Sequence, residues 1–230
     1  MSGHPRDADP PFALVLLAIV TIFVLEPHVA DRAGGSLAVR LSAMGLTVPV
    51  VVVGLLQLHE RKRWWGVGIA IIVAVLNGGG MFRLSHVPPQ VGVAAALALL
   101  LWAMSEVFRR VLQSPTVTPR VVAGALSAYL MIALTYALAY GAIEVTWPGS
   151  IHVTPAPNGS ATVDVHTLMY FSGVTIMTIG YGDVTPVAPI ARTLVVLEGL
   201  TGIVFTTVVL GALVGALIES RRSTDAERGG

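Results

Sequence analysis

Cysteine is absent from this sequence, and charged residues are scarce. The lack of cysteine excludes disulfide bonds, thiolate metal sites and thiol catalysis. Asp, Glu, Lys and Arg make up only 12% of the 230 residues, about half the fraction of ordinary soluble domains. Their formal net charge of +1 gives no reason to expect a nucleic-acid partner. Hydrophobic residues reach 54% instead, so the sequence predicts a protein that lies in the lipid bilayer.

Six long stretches contain no Asp, Glu, Lys or Arg and are uniformly apolar. A transmembrane β-barrel would alternate polar and apolar residues, so these stretches predict helices. Most have close to the roughly 20 residues that a helix needs to cross the hydrocarbon core. The first has only 16, which is near the length of a signal-peptide core. The last reaches back to Thr193 if Glu198 is tolerated. The predicted spans are residues 10–25, 41–59, 64–82, 84–105, 121–143 and 199–218.

A seventh uncharged stretch, residues 165–182, is too polar to face lipid. It contains His166, Ser172 and several threonines, and it ends in glycines. Such backbone is tolerated at membrane depth only where it is buried in protein or lines water. We therefore predict a re-entrant segment between the fifth and sixth spans, preceded by an irregular, proline-containing external loop at residues 147–163.

The charges of the loops predict the orientation of the spans. Basic residues are in excess at 59–63, at 109–120 and at 221–222, whereas the opposite loops are balanced or acidic apart from Arg83. Basic loops stay in the cytoplasm, so both termini are expected there. The predicted fold class is an all-α membrane protein with six transmembrane helices and a re-entrant helix and loop between helices 5 and 6, multi-pass in the cell membrane.

The re-entrant segment carries the chemistry. Asp164 can cap a short helix at residues 165–177, whose C-terminal dipole end favours a cation near the membrane centre. Residues 178–183 then return outward as an extended strand. Glycines at 180 and 182 permit alternating backbone handedness, which aims successive carbonyl oxygens at one axis. The Thr178 hydroxyl adds another oxygen, and four chains must surround the axis because each supplies one strand.

This segment resembles the pore loop of the tetrameric potassium channel family, whose filter reads Thr-x-Gly-Tyr-Gly-Asp. The resemblance covers about residues 121–218, with Thr175 and Pro186 also at the family's spacing. It implies a pore domain at 114–218, with an outer helix, a pore helix at 165–177, a filter at 178–183 and an inner helix. A four-helix transmembrane region at 1–113 would precede it, and a short cytoplasmic tail at 219–230 would follow. The implied ion-binding residues are Thr178, Ile179, Gly180, Tyr181, Gly182 and Asp183, with K+ held by the carbonyls of the first four.

Three residues of the pore helix are expected to support the filter. By analogy with the family, Tyr170 reaches Asp183. Phe171 offers no hydrogen-bond donor to the Tyr181 hydroxyl, which leaves Thr175 as the expected partner.

Two residues of the last span have two interpretations each. Gly202 lies near the middle of the span and is either a hinge or a site of close helix packing. Glu198 is an acid within a membrane span, which is costly if it faces lipid. It is therefore either a satisfied carboxyl buried behind the filter or a modulatory, proton-sensitive group.

The leading helices resemble a voltage sensor in number only. Voltage-gated members of the family carry a basic residue at every third position of the fourth span, and residues 84–105 have none. Arg109 and Arg110 lie at the inner end of that span, where long basic side chains reach the interface. We predict no functional sensor in residues 1–113.

The resemblance thus implies a potassium-selective channel subunit that conducts passively as a homotetramer in the bilayer. An enzyme is not expected, and no cofactor is expected beyond K+ as the permeant ion. The alternatives are a non-selective cation channel, which Tyr181 disfavours, a non-conducting membrane scaffold, which only a recording of currents can exclude, and a subunit of a potassium uptake transporter. Such transporters carry a single glycine at the filter centre, whereas this chain has a full Gly-Tyr-Gly.

Overall fold

The computed structural model describes residues 12–33, 48, 52, 89–113, 118–155, 162–212, 214, 215 and 218. These residues form five α-helices, a π-helical turn and a two-stranded sheet. The helices are α1 (Phe12–Ala33), α2 (Pro89–Leu112), α3 (Pro119–Thr146), α4 (Val165–Ile176) and α5 (Pro189–Phe205), which continues into the π-helical turn Thr206–Leu210. The strands are β1 (Ile151–Val153) and β2 (Val184–Pro186).

Three helices of the described part are long and apolar enough to cross a membrane. They cover Gln90–Leu112, Pro119–Thr146 and Pro189–Val209, and Phe12–Val24 forms a shorter apolar helix. The predicted spans 41–59 and 64–82 lie outside the described residues, except that Val48 and Val52 are helical and buried. The structure is therefore that of a mostly helical membrane protein.

Helix α3 is the centre of the fold, because α1, α2, α4 and α5 all pack against it. Gly124, in its second turn, lets two of these helices approach. A Cβ at this position would lie 2.8 Å from a Val111 side-chain carbon and 2.9 Å from the Phe12 ring. The start of α1, the end of α2 and the start of α3 consequently meet on one side of the molecule.

The last span begins earlier than predicted. Helix α5 starts at Pro189, a residue suited to the first helical position, and not at residue 199. The charge-free criterion stopped at Glu198, and the extension that tolerates this residue reached back only to Thr193. Glu198 is fully buried within the protein, so the helix runs through it.

The mostly helical structure also contains one short two-stranded sheet, which was not predicted. Strand β1, within the stretch predicted to be irregular, pairs antiparallel with β2, with Val153 opposite Val184. This pairing satisfies backbone groups in the two segments on either side of α4. It ties the chain that enters α4 to the chain that leaves residues 178–183.

Candidate functional site

Helix α4 is short and capped at its start. The Asp164 carboxylate accepts a hydrogen bond from Thr167 N at 2.7 Å, which confirms the predicted N-cap. The helix ends at Ile176, with Met177 as C-cap, one residue earlier than predicted. Its 12 residues are about 18 Å long, which is too short to cross a membrane.

The C-terminal end of α4 anchors the backbone that follows it. Thr178 N donates to Thr175 O at 2.9 Å, and Ile179 N donates to Val174 O at 2.8 Å. The next carbonyl, Ile176 O, accepts a hydrogen bond from the Tyr129 hydroxyl of α3 at 2.9 Å. The start of residues 178–183 is thus fixed by helix carbonyls. Tyr129 was not predicted, because its contact joins positions 47 residues apart.

Residues 178–182 alternate in backbone handedness. The angle φ is +58° at Thr178, +57° at Gly180 and +80° at Gly182. The sequence predicted this for the two glycines, but a threonine at positive φ is uncommon and was not expected. Within the described part of the chain, the carbonyl oxygens of residues 178–182 accept no hydrogen bond. These oxygens are exposed acceptors left for another partner.

The other end of this segment is held at Asp183. The Tyr170 hydroxyl donates to Asp183 Oδ2 at 2.8 Å, which confirms the contact expected from the resemblance. This hydrogen bond raises the pKa of the Tyr170 phenol to about 12, so it remains a donor at neutral pH. The Asp183 carbonyl accepts from Thr154 N at 2.8 Å, one residue beyond β1. Side chain and backbone of Asp183 are therefore both fixed.

Within one chain, Tyr181 does not form the predicted hydrogen bond with Thr175. The Thr175 hydroxyl donates to Phe171 O at 2.7 Å, and no hydrogen bond joins it to Tyr181 among the described residues. The Tyr181 ring instead stacks on Tyr170, with centroids 6.5 Å apart and an interplanar angle of 1°. The Phe171 ring packs against the Tyr140 ring of α3, with centroids 4.9 Å apart, and so forms part of the interface between α3 and α4.

A carboxylate outside this segment shapes the turn that follows α3. Glu144 accepts hydrogen bonds from Gly149 N at 2.8 Å and from Ile151 N at 3.0 Å, so the chain turns directly into β1. The Ser150 carbonyl then accepts from Val187 N at 2.8 Å, just before α5. Sequence reasoning missed this role. The available signal was an acid near a helix end followed by Trp-Pro-Gly-Ser, a typical turn sequence.

Gly202 is a position of close packing. A Cβ there would lie 2.6 Å from Ile176 O and 2.9 Å from the Ile176 side chain. Helix α5 therefore lies directly against the last carbonyl of α4. Of the two interpretations of Gly202, this contact supports packing.

Glu198 is a satisfied buried carboxyl, as one of its two interpretations held. Its Oε2 accepts a hydrogen bond from the Tyr140 hydroxyl at 2.6 Å, and its Oε1 contacts the Ser172 hydroxyl. Neither partner was predicted, since they lie 58 and 26 residues away along the chain.

Arg109 and Arg110 at the end of α2 form ion pairs with Glu106. The N···O distance to Glu106 is 2.8 Å for Arg109 and 2.7 Å for Arg110. Both arginines lie about one helical turn after Glu106. The described part of the chain holds no group of three or more His, Asp or Glu side chains that could bind a metal.

The described site lies in the part of the chain that is similar to known proteins. Residues 125–219 match the model of the ion channel family. Protein LctB of Bacillus caldotenax is 36% identical over 86 residues, and Protein LctB of Geobacillus stearothermophilus is 33% identical over 85 residues. Each alignment covers 36% of this chain and 61% of the relative.

A third relative is Two pore potassium channel c of Oryza sativa subsp. japonica. It is 32% identical over 92 residues, which are 40% of this chain and 20% of that protein. The chain thus spans less than two thirds of each of these relatives. No solved structure is significantly similar to it. These matches, with the apolar helices that carry them, support an ion channel in the membrane.

Proposed function

We propose that this chain is a subunit of a potassium-selective channel that conducts passively through a homotetrameric pore. One observation carries the proposal. Residues 178–181 present consecutive carbonyl oxygens on backbone of alternating handedness, without protein donors in the described residues. Rings of such carbonyls replace the hydration shell of K+ in potassium channels. The ion sites are the carbonyls of Thr178, Ile179, Gly180 and Tyr181.

Several copies of the chain must assemble around an axis, because each copy supplies only part of the ring of carbonyl oxygens. One chain provides a single strand of carbonyls, so a closed ring needs copies of the chain. Helix α5 supports this, because its apolar side chains are largely uncovered in the single chain: Val196 is 70% exposed and Ile203 is 54% exposed. Neighbouring subunits and lipid would cover them.

The remaining architecture is part of the same proposal. Residues 1–113 form a four-helix region, 114–218 the pore domain and 219–230 a cytoplasmic tail, with six transmembrane helices and a re-entrant pore helix α4. Both termini are cytoplasmic. The meeting of Phe12, Val111 and Gly124 supports this, because it places the start of α1 on the same side as the basic loop after α2. The relative named as a potassium channel supports the choice of ion.

Current through the purified full chain in a planar bilayer tests the proposal. With asymmetric potassium and sodium, the reversal potential should follow potassium, and the protein should migrate as a tetramer in mild detergent. A reversal potential that ignores the exchange of potassium for sodium would favour a non-selective cation channel. A purified monomer, or no flux without a second component, would favour a transporter subunit.

Gly180→Ala is the matched variant. Within the described part of one chain, no atom lies within 4 Å of the added Cβ, so the strain in that chain comes from the backbone angle of +57°. Forcing alanine into this conformation costs about 1–2 kcal/mol in each of the four chains, and conduction should be lost or become unselective. Gly173→Ala in α4 is the control, because the one described atom within 4 Å of its added Cβ is Met177 Cε, at an ordinary contact distance of 3.8 Å. Normal selectivity in Gly180→Ala would contradict the proposed ion sites.

A further inference from the structure

Glu198 belongs to a buried cluster that joins three helices. We define the Glu198 cluster as Glu198 of α5, Tyr140 of α3, Ser172 of α4 and the backbone carbonyl of Ala133 in α3. All three side chains are fully buried. The Tyr140 hydroxyl is 2.6 Å from Glu198 Oε2, the Ser172 hydroxyl contacts Glu198 Oε1, and the same hydroxyl is 2.7 Å from Ala133 O.

The number of protons in the cluster decides its charge. Each of the three oxygen–oxygen contacts needs one proton. Tyr140 supplies one and Ser172 supplies one, because a hydroxyl carries a single hydrogen. If Glu198 were ionised, Ser172 could donate to Ala133 O or to Glu198, and the other contact would bring two acceptors together without a proton. A proton on Glu198 completes all three contacts.

Among the described residues, no ion pair offsets a negative charge on Glu198. The ion pairs in the described part of the chain join Arg109 and Arg110 to Glu106, and none involves Glu198. The titratable groups around the cluster are Tyr140, Tyr129 and Tyr136, three phenols on α3. From α4, Ser172 is the described polar side chain that contacts the cluster, beside the apolar Phe171 ring. An unpaired carboxylate in a membrane interior is strongly disfavoured, whereas a neutral acid is not.

We propose that Glu198 is held as a neutral carboxylic acid and is a positioning residue that links α4 to both of its flanking helices. The functional part rests on the proposed channel, in which α4 orients the ion sites. Ser172 lies six residues before Thr178, so the cluster fixes the position of the middle of α4. The end of α4 is fixed by the hydrogen bond from Tyr129 and by the close packing at Gly202. The acid form is essential, because only that form can bond Ser172 while Ser172 bonds α3.

Two substitutions in the full-length protein separate the charge from the contacts. Glu198→Gln keeps an oxygen for Tyr140 and offers an N–H to Ser172, so it reproduces the neutral acid. It should retain the melting temperature of the tetramer and potassium flux within about twofold of wild type. Glu198→Ala leaves the Tyr140 hydroxyl without its acceptor and Ser172 with its bond to Ala133 O alone, so α5 loses its links to both helices. Flux should fall about tenfold or more, with a lower melting temperature. The proposal is overturned if Gln is as damaging as Ala, or if Ala is harmless.

Infrared spectroscopy reads the protonation state directly. Purified protein at neutral pH should show the carbonyl stretch of a protonated carboxylic acid, and Glu198→Gln should lack it. Glu144→Gln is the control, because two backbone N–H groups face the Glu144 carboxylate and no proton is needed there. Absence of the wild-type band would refute the neutral acid. The band and the melting temperatures do not depend on conduction, so a protein that shows them but passes no potassium would refute the proposed function alone.

Discussion

The contact between Gly202 and the end of α4 makes a quantitative prediction. Replacing Gly202 with alanine adds a methyl group that would start 2.6 Å from Ile176 O. Relaxed carbon contacts begin at about 3.5 Å, so α5 and α4 must separate by several tenths of an ångström. A backbone carbonyl cannot rotate aside as a flexible side chain does. Ile176 O is also bonded to Tyr129, so the displacement reaches α3 as well.

Two opposing effects set the size of the change. Inserting a methyl group into a packed interface costs about 1–3 kcal/mol, whereas alanine is about 1 kcal/mol better than glycine within a helix. Gly199→Ala, one turn earlier in α5, has the helical gain without the clash within the chain, since none of its described atoms lies within 4 Å of the added Cβ. The difference between the two variants therefore isolates the packing cost of about 1–3 kcal/mol.

Thermal unfolding in mild detergent measures this difference. At about 2–4 °C per kcal/mol, Gly202→Ala should melt about 2–12 °C below Gly199→Ala. Potassium flux should fall in the same variant, because Ile176 lies two residues before Thr178. Equal melting temperatures for the two variants would refute the packing argument. If opening alone changed, the hinge interpretation of Gly202 would be favoured instead.

Two further predictions concern the filter and voltage. Tyr170→Phe removes the donor to Asp183 Oδ2 and should change the decay of current more than Val174→Ala, which removes only apolar contacts; equal, negligible effects on decay would count against it. Conductance should vary weakly with voltage, with a gating charge of about one elementary charge or less per channel. Steep gating needs several charges that cross the membrane field. Neutralising Arg109 and Arg110 together should leave this slope unchanged, because both already pair with Glu106 at the end of α2. A steep activation curve that flattens in the double variant would reveal a sensor.

Local rules predicted the features that depend on nearby residues. The cap at Asp164, the short α4 and the positive φ at Gly180 and Gly182 follow from the chemistry of single positions. The start of α5 was misplaced because a charge count cannot tell a buried carboxyl from one that faces lipid. The three-residue strand β1 was missed because it carries no periodicity of its own and exists only through pairing with β2.

The side-chain partners of the site were beyond such rules. The bonds of Tyr140 to Glu198, of Ser172 to Ala133 and of Tyr129 to Ile176 join residues 58, 39 and 47 positions apart. Which side chains meet depends on how α3, α4 and α5 dock, and no local pattern encodes that. The sequence identified Glu198 as unusual through its cost in a membrane, but it did not show that its carboxyl joins α5 to Tyr140 of α3 and Ser172 of α4.

The distribution of donors explains how a segment of free carbonyls stays ordered. Hydrogen bonds from the described residues fall on the acceptors at both ends of residues 178–182: Val174, Thr175 and Ile176 before it, and Asp183 after it. The N–H groups of Ile179 and Gly180 both turn back to Val174 O, so they cannot compete for the carbonyls beyond. Buried or crowded carbonyls without donors are costly, and a cation can replace those donors in a pore. In the proposed channel, the two fixed ends hold this segment in place, and the bound K+ supplies the contacts that the fold withholds from its middle.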